Sequence, residues 1–171
     1  MTLGMSLETF TLLHVVISLV GILSGFVVVF GLVGGKKLDG WTAWFLTATV
    51  LTSVTGFMFP FEKLLPSHKV GIVSLVVLAV AIAARYAFHL GGAWRTIYSV
   101  GATLALYLNV FVLVVQAFLK VPALHELAPT GTEPPFLFTQ LVVLAAFIVL
   151  GIFAAIRFRK APASRAAAHA A

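Results

Sequence analysis

Three histidines and two glutamates near the ends of the apolar segments are the side chains best suited to bind a metal. They are His14, His68, His125, Glu62 and Glu126. Imidazole and carboxylate groups together bind zinc, copper or iron. No His-x-x-x-His spacing occurs within a predicted helix. A divalent-metal site would therefore have to be assembled from several loops and helix ends.

A second set of polar side chains would suit a lipophilic ligand. His14, Asn109, Gln116 and Gln140 carry donors that match the oxygens of a quinone, and the chain has 15 phenylalanines to line the path of its tail. Asn109 and Gln116 are seven residues apart and therefore share one face of a helix. The alternative interpretation is that these amides, with neighbouring hydroxyls, join helices to one another.

A b-type haem is a further candidate cofactor, because its iron takes axial ligands from both sides of the macrocycle. His14 lies inside an apolar segment, whereas His89 is predicted at the opposite membrane face and cannot pair with it. The chain has no cysteine. This excludes disulfides, thiolate zinc sites, iron–sulfur clusters and c-type haem attachment.

The sequence favours a protein without catalytic activity. It contains no nucleophile elbow, phosphate-binding loop, zincin helix or paired catalytic carboxylates. A transporter of charged substrates would be expected to place a charged residue at mid-membrane depth or to show an inverted repeat, and neither pattern is present. A small-molecule transporter is therefore the third functional hypothesis.

Long uncharged segments indicate which elements position these side chains. Hydrophobic residues make up 61% of the chain and charged residues 9%, and a helix needs about 20 apolar residues to cross a bilayer. We predict an all-α integral membrane bundle, a single domain over residues 1–171. Its five transmembrane helices lie at about 9–33, 41–60, 67–88, 96–119 and 134–156. The third is the shortest, because 15 uncharged residues separate Lys69 from Arg85.

The distribution of lysine and arginine predicts the orientation, since cytoplasmic loops hold the excess. One side holds eight cations, namely Lys36, Lys37, Arg85, Arg95, Arg157, Arg159, Lys160 and Arg165. The other side holds three, namely Lys63, Lys69 and Lys120. We therefore place the N-terminus outside and the C-terminus in the cytoplasm, with 157–171 as a flexible basic tail. A four-span variant, in which 67–88 does not cross, gives the same split with the N-terminus inside.

Arg85 lies at the predicted cytoplasmic end of the third helix. We expect its side chain to extend along the helix and reach the lipid headgroups, as long cationic side chains do near helix ends. The alternative is a contact with a proton or an anion. The net charge of +6 follows from the topology of the chain and does not indicate nucleic-acid binding.

Three segments, at 52–61, 107–118 and 120–136, are similar to segments of a group of small bacterial inner-membrane proteins of hypothetical function. The resemblance covers about two thirds of the chain. It implies a multi-pass protein of a bacterial inner (plasma) membrane and nothing about chemistry. In the loop, Pro122 is placed to begin a short helix and Pro129 to end it.

The leading hypothesis is a non-catalytic multi-span membrane protein that binds a small lipophilic ligand, such as a quinone or lipid, or serves as an accessory subunit of a larger membrane complex. The alternative is a redox, metal-binding or haem-binding membrane protein that uses the histidines and glutamates of the outer face. Membrane lipids are the expected partners, with a homo-oligomer or a larger membrane complex as the expected assembly.

Overall fold

The computed structural model describes residues 4–60 and 66–161. Their helices, in chain order, are α1 (Leu7–Val33), α2 (Asp39–Gly56), α3 (Pro66–Ile82), α4 (Trp94–Lys120), α5 (Pro122–Leu127) and α6 (Pro134–Lys160), and α3 continues as a π-helix over Ala83–Ala87. The prediction of an all-helical fold is confirmed. The short helix expected after Pro122 is present as α5, and α6 continues past the predicted end at 156.

Four helical segments in the described ranges are long and apolar enough to cross a membrane: Leu7–Val33, His68–Ala87, Trp94–Lys120 and Pro134–Lys160. They confirm a multi-pass membrane protein. The shortest predicted span, at 67–88, meets the requirement because the π-helix extends α3. Among the long helices, α2 is not apolar enough to be such a segment; it has 18 residues and carries six threonines and serines.

The first two helices pack side by side. Ser6 caps α1, where its hydroxyl accepts a hydrogen bond from the Thr9 N–H at 3.1 Å. The helix ends in a tight turn through Gly35, which adopts a φ of 71°, and the chain then reverses into α2. His14 of α1 lies 2.8 Å from the Thr55 hydroxyl at the far end of α2. The two helices are therefore antiparallel neighbours.

A glycine permits the close packing of three helices at the centre of the bundle. A Cβ on Gly25 of α1 would lie 2.7 Å from Leu106 Cδ1 of α4 and 2.9 Å from the Phe45 ring of α2. Both of these side chains are fully buried. Only glycine therefore lets the backbone of α1 approach α2 and α4 this closely without displacing a packed side chain.

The third helix ends in an unusual turn. After the π-helix, the non-glycine residues His89 and Leu90 adopt φ angles of 48° and 56°. The Leu90 N–H donates to the carbonyl of Ala84 at 3.0 Å, and the Leu90 side chain is buried. Left-handed backbone is costly for residues with a Cβ, so burial of Leu90 and this hydrogen bond offset local strain in the turn into α4.

Candidate ligand site around Arg85

One end of the bundle gathers the end of α1, the start of α2, the π-helix, the start of α4 and the end of α6. Arg85 of the π-helix pairs with Asp39 at the start of α2. Arg95 of α4 donates to the carbonyl of Ala161, just after α6, at 2.8 Å. The helix ends that the sequence predicts to be cytoplasmic therefore lie together, and we call this part of the molecule the Arg85 end.

The Arg85 side chain is buried inside the bundle, with 3% of its surface exposed. The prediction that it extends outward to the headgroups is therefore wrong. A π-turn contains one more residue than an α-turn, so it rotates the residues that follow it relative to the preceding helix face. Ala84 and Arg85 are both buried in this segment. The guanidinium consequently points toward α2 and α4.

The Asp39 carboxylate forms an ion pair with the buried guanidinium. The Nη2 group of Arg85 donates to Oδ1 of Asp39, while the Asp39 side chain remains 73% exposed. The Nζ atom of Lys37 lies 3.9 Å from the same carboxylate oxygen. One carboxylate thus faces two cations, and the three side chains together carry a formal charge of +1.

Two tyrosine rings also lie against the guanidinium. Its carbon lies 5.1 Å from the centre of the Tyr98 ring and 5.7 Å from that of Tyr86, within the range of cation–π attraction. The Tyr98 side chain is fully buried, and its hydroxyl lies 3.2 Å from that of Thr42. These contacts offset part of the free energy of burying a charge, which is several kcal/mol for an ion.

The Arg85 guanidinium retains an unused hydrogen-bond donor. Its Nη1 atom is buried and has no hydrogen-bond partner in the described part of the chain. Buried donors of native proteins are almost always satisfied by protein groups, water or a ligand. The site therefore offers a positively charged donor to an acceptor that residues 4–60 and 66–161 do not supply.

An apolar groove leads away from this site between α2 and α3. It has a volume of about 380 Å³ and is lined by Ala43, Leu46, Thr47, Val50, Leu51, Ile82 and Tyr86. From Ala43 to Leu51 it follows nine residues of α2, a rise of roughly 12 Å. Tyr86 borders the groove and also lies against the guanidinium. The groove thus gives an apolar wall, about as long as most of one leaflet's hydrocarbon layer, that ends beside the charged cluster.

A second groove lies between α1 and α6. Its volume is about 490 Å³, and its lining, which is apolar throughout, consists of Phe30, Val33, Ala145, Ala146, Val149, Leu150 and Phe153. None of these described lining residues has a polar side chain that could orient a ligand. It differs in this respect from the α2–α3 groove, which ends next to an ion pair.

The four predicted quinone-binding side chains do not share one site. Asn109 donates to the Thr49 hydroxyl at 3.2 Å, and Gln140 donates to the carbonyl of Phe111 at 3.2 Å. Both amides therefore join helices, as the alternative interpretation expected. Gln116 is exposed on α4. His14 lies in the N-terminal half of α1, away from the Arg85 end, where it bonds with Thr55.

The surroundings of Thr55 favour one tautomer of His14. The Thr55 hydroxyl lies 2.7 Å from the carbonyl of Leu51, and when it donates its hydrogen there it accepts from Nδ1 of His14. In the neutral ring, Nε2 is then the acceptor. The ring also makes an edge contact with Phe59 at 5.2 Å between centroids. This arrangement resembles that of metal-binding histidines, whose second nitrogen is fixed by a neighbouring group.

The predicted metal ligands are dispersed within the described ranges. His68 is buried and lies 5.5 Å from the Phe57 ring between centroids, while His125 and Glu126 are exposed on α5. Glu62 lies outside the described residues. Across residues 4–60 and 66–161, no three His, Asp or Glu side chains come close enough together to hold a metal ion.

The Arg85 cluster could be found only in part from the sequence. Arg85 and Asp39 are each visible as charged residues at predicted helix ends, but their pairing depends on the rotation produced by the π-helix. Tyr98 and Thr42 resemble ordinary interfacial and helix-joining side chains. The available signal was charge balance, since Asp39 is the single acidic residue on the predicted cytoplasmic side.

Comparison with known proteins finds no matching family model, no matching curated protein and no matching solved structure.

Proposed function

We propose that this chain is a non-catalytic, five-span protein of a bacterial inner membrane that binds a lipophilic ligand. The ligand's chain occupies the α2–α3 groove and its polar head lies at the Arg85 end. The observation that carries this proposal is an apolar groove that shares Tyr86 with the surroundings of a buried, incompletely satisfied cation. Ligand sites typically combine an apolar wall with a few polar groups that orient the ligand.

The packing of α2 supports a fifth span. α2 lies alongside α1, and several of its hydroxyl groups contact other helices: Thr42 contacts Tyr98, Thr49 accepts from Asn109, and Ser53 bonds to Ser74 at 3.1 Å. Its low hydropathy thus comes in part from side chains that serve helix–helix contacts. At about 1.5 Å per residue, its 18 residues span roughly 27 Å, close to the hydrocarbon thickness.

The charge distribution supports a cytoplasmic location for the Arg85 end. The described cations at this end include Lys36, Arg157, Arg159 and Lys160, all of them exposed. Cytoplasmic loops hold the excess of lysine and arginine, so the N-terminus lies outside. The same orientation places the ligand's head in the inner leaflet.

Native mass spectrometry from mild detergent tests the proposal. The protein is expected to retain a lipid or quinone, and Ala43→Phe, which fills the α2–α3 groove, should release it. Ala145→Phe fills the α1–α6 groove in the same way and serves as the matched control, with the ligand retained. Equal retention by all three proteins would refute the assignment of the groove. A stably bound protein in the same spectrum would indicate an accessory subunit.

A second candidate function rests on the tautomer of His14. An imidazole whose Nδ1 is held by Thr55 presents Nε2 as a ligand atom for haem iron or another metal. In this candidate, the protein is a redox or metal-binding membrane protein with its site at the outer end. A Soret band or bound metal in the purified protein that disappears in His14→Ala would support it. Purified protein without either would refute it.

A further inference from the structure

We propose that the Arg85 end recognises the phosphodiester of an anionic phospholipid of the cytoplasmic leaflet, with Arg85 and Lys37 as the cationic contacts. This inference rests on the proposed function, because it names the class of ligand whose chain lies in the α2–α3 groove. It distinguishes an anionic lipid from a zwitterionic lipid and from a quinone.

The charge of the site favours a monoanion. Arg85 and Lys37 both face the Asp39 carboxylate, so the ion pair leaves one positive charge uncompensated. A quinone is neutral and a zwitterionic headgroup brings its own ammonium, whereas a phosphodiester lipid with an uncharged head alcohol carries one negative charge. The anionic lipid is therefore the occupant that neutralises the cluster.

The hydrogen-bonding capacity of Arg85 also matches a phosphate. Its guanidinium uses Nη2 for Asp39, and Nη1 has no hydrogen-bond partner among the described residues. Guanidinium groups bind phosphate through two parallel N–H donors. A phosphate oxygen at Nη1 would satisfy the buried donor, while the largely exposed Asp39 carboxylate can turn toward water and Lys37.

Tyr86 controls the path between the groove and the cation. Its ring borders the groove, lies 5.7 Å from the guanidinium carbon and is about half exposed. In this proposal, Tyr86 is the side chain that moves to admit the headgroup of a lipid, whose chain lies in the groove, to the guanidinium.

Lipid competition measured by native mass spectrometry tests the inference. The protein is equilibrated with phosphatidylglycerol and phosphatidylcholine of identical chains, and the bound ratio is recorded. One cation near a membrane surface is worth about 1 kcal/mol, which corresponds to about fivefold in binding. We expect wild-type protein to prefer phosphatidylglycerol about fivefold, Arg85→Gln to lose this preference, and Asp39→Asn to raise it to about 25-fold.

Arg85→Gln and Asp39→Asn should change the preference for phosphatidylglycerol in opposite directions, and this distinguishes recognition of the lipid from a purely structural role. If the ion pair only held the fold together, both substitutions would break it and would lower lipid binding alike. Arg159→Gln removes an exposed cation from the same end of the bundle and should change the ratio less than twofold, as expected for a screened charge. If Arg85→Gln does not fold, Asp39→Asn alone decides, and an unchanged or reduced preference overturns the inference.

The two proposals fail in different ways. A wild-type protein that binds both lipids equally, and releases both on Ala43→Phe, would overturn the anionic specificity and leave the ligand groove intact. Lipids that remain bound to Ala43→Phe would overturn the groove itself, and with it both proposals.

Discussion

Removal of one partner of the Arg85–Asp39 ion pair should have a very different effect from removal of the other. Loss of the Asp39 carboxylate leaves a guanidinium that is 3% exposed without its counter-ion, whereas loss of Arg85 leaves a carboxylate that is 73% exposed and can be solvated. We therefore expect Asp39→Ala to reduce the free energy of unfolding much more than Arg85→Met does.

The magnitudes follow from the surroundings of each group. An unpaired buried charge costs about 3–5 kcal/mol, which we assign to Asp39→Ala. Arg85→Met loses the cation–π contact with Tyr98, about 1–2 kcal/mol, and an interaction with an exposed carboxylate, about 0–1 kcal/mol. The double substitution leaves no charge behind, so its cost should be close to that of Arg85→Met alone.

Equilibrium unfolding in zwitterionic bicelles, followed by circular dichroism, measures these differences without an anionic lipid to replace Asp39. Glu8→Ala is the matched control, because Glu8 also lies in the first turn of a helix and loses the same favourable interaction with the helix dipole, about 0.3–1 kcal/mol. The reasoning is refuted if Arg85→Met costs as much as Asp39→Ala, or if the two effects are additive in the double variant.

Three further predictions concern other parts of the chain. Gly25→Ala should lower the free energy of unfolding by about 1–3 kcal/mol, because its new Cβ overlaps the Phe45 ring; an unchanged thermal midpoint would show that the core adjusts. Thr55→Val should remove the partner of His14 Nδ1, and ¹⁵N NMR should then show a mixture of tautomers; a retained single tautomer would mean that another group fixes the ring. The pKa of Glu133 is lowered from 4.5 to about 2: desolvation opposes the shift, but hydrogen bonds from the Thr130 backbone and hydroxyl and from backbone N–H groups outweigh it. Its contribution to stability is therefore complete above about pH 4.5 and is lost as the pH falls through 2, and a ¹³C titration midpoint near 4.5 would contradict this.

The all-helical fold and the positions of the long helices could be predicted because lipid accepts only segments that satisfy their own backbone hydrogen bonds. Uncharged runs therefore mark helices with little ambiguity. The uncharged run between Lys69 and Arg85 is by itself too short to cross a membrane, but the predicted extension to 67–88 agrees with the apolar helical segment His68–Ala87. Arg85 pairs with Asp39 inside the bundle, so the helix continues past this charge.

The position of the site could not be predicted from the polar residues alone. Hydropathy shows that Asn109 lies within a helix. Whether its amide binds a ligand or a neighbouring helix depends on which face of α4 packs against α2. Its amide meets Thr49. The direction of the Arg85 side chain could not be predicted, because it depends on the rotation of the helix about its axis. The π-helix at Ala83–Ala87 changes this rotation, and the side chain lies inside the bundle.

The hydroxyl-rich second helix has a consequence for how the protein enters its membrane. The insertion machinery of the cell accepts segments according to their own apolarity, and α2 is the long helix in the described ranges that does not meet that requirement by itself. The preceding helix does meet it, and residues 34–38 join the two. We expect α1 and α2 to insert together as a helical hairpin, in which α1 covers Thr49 and Thr55 of its neighbour. A ribosome-bound nascent chain that ends before α2 should therefore integrate stably, whereas α2 fused alone to a reporter should cross the membrane completely or remain in the cytosol.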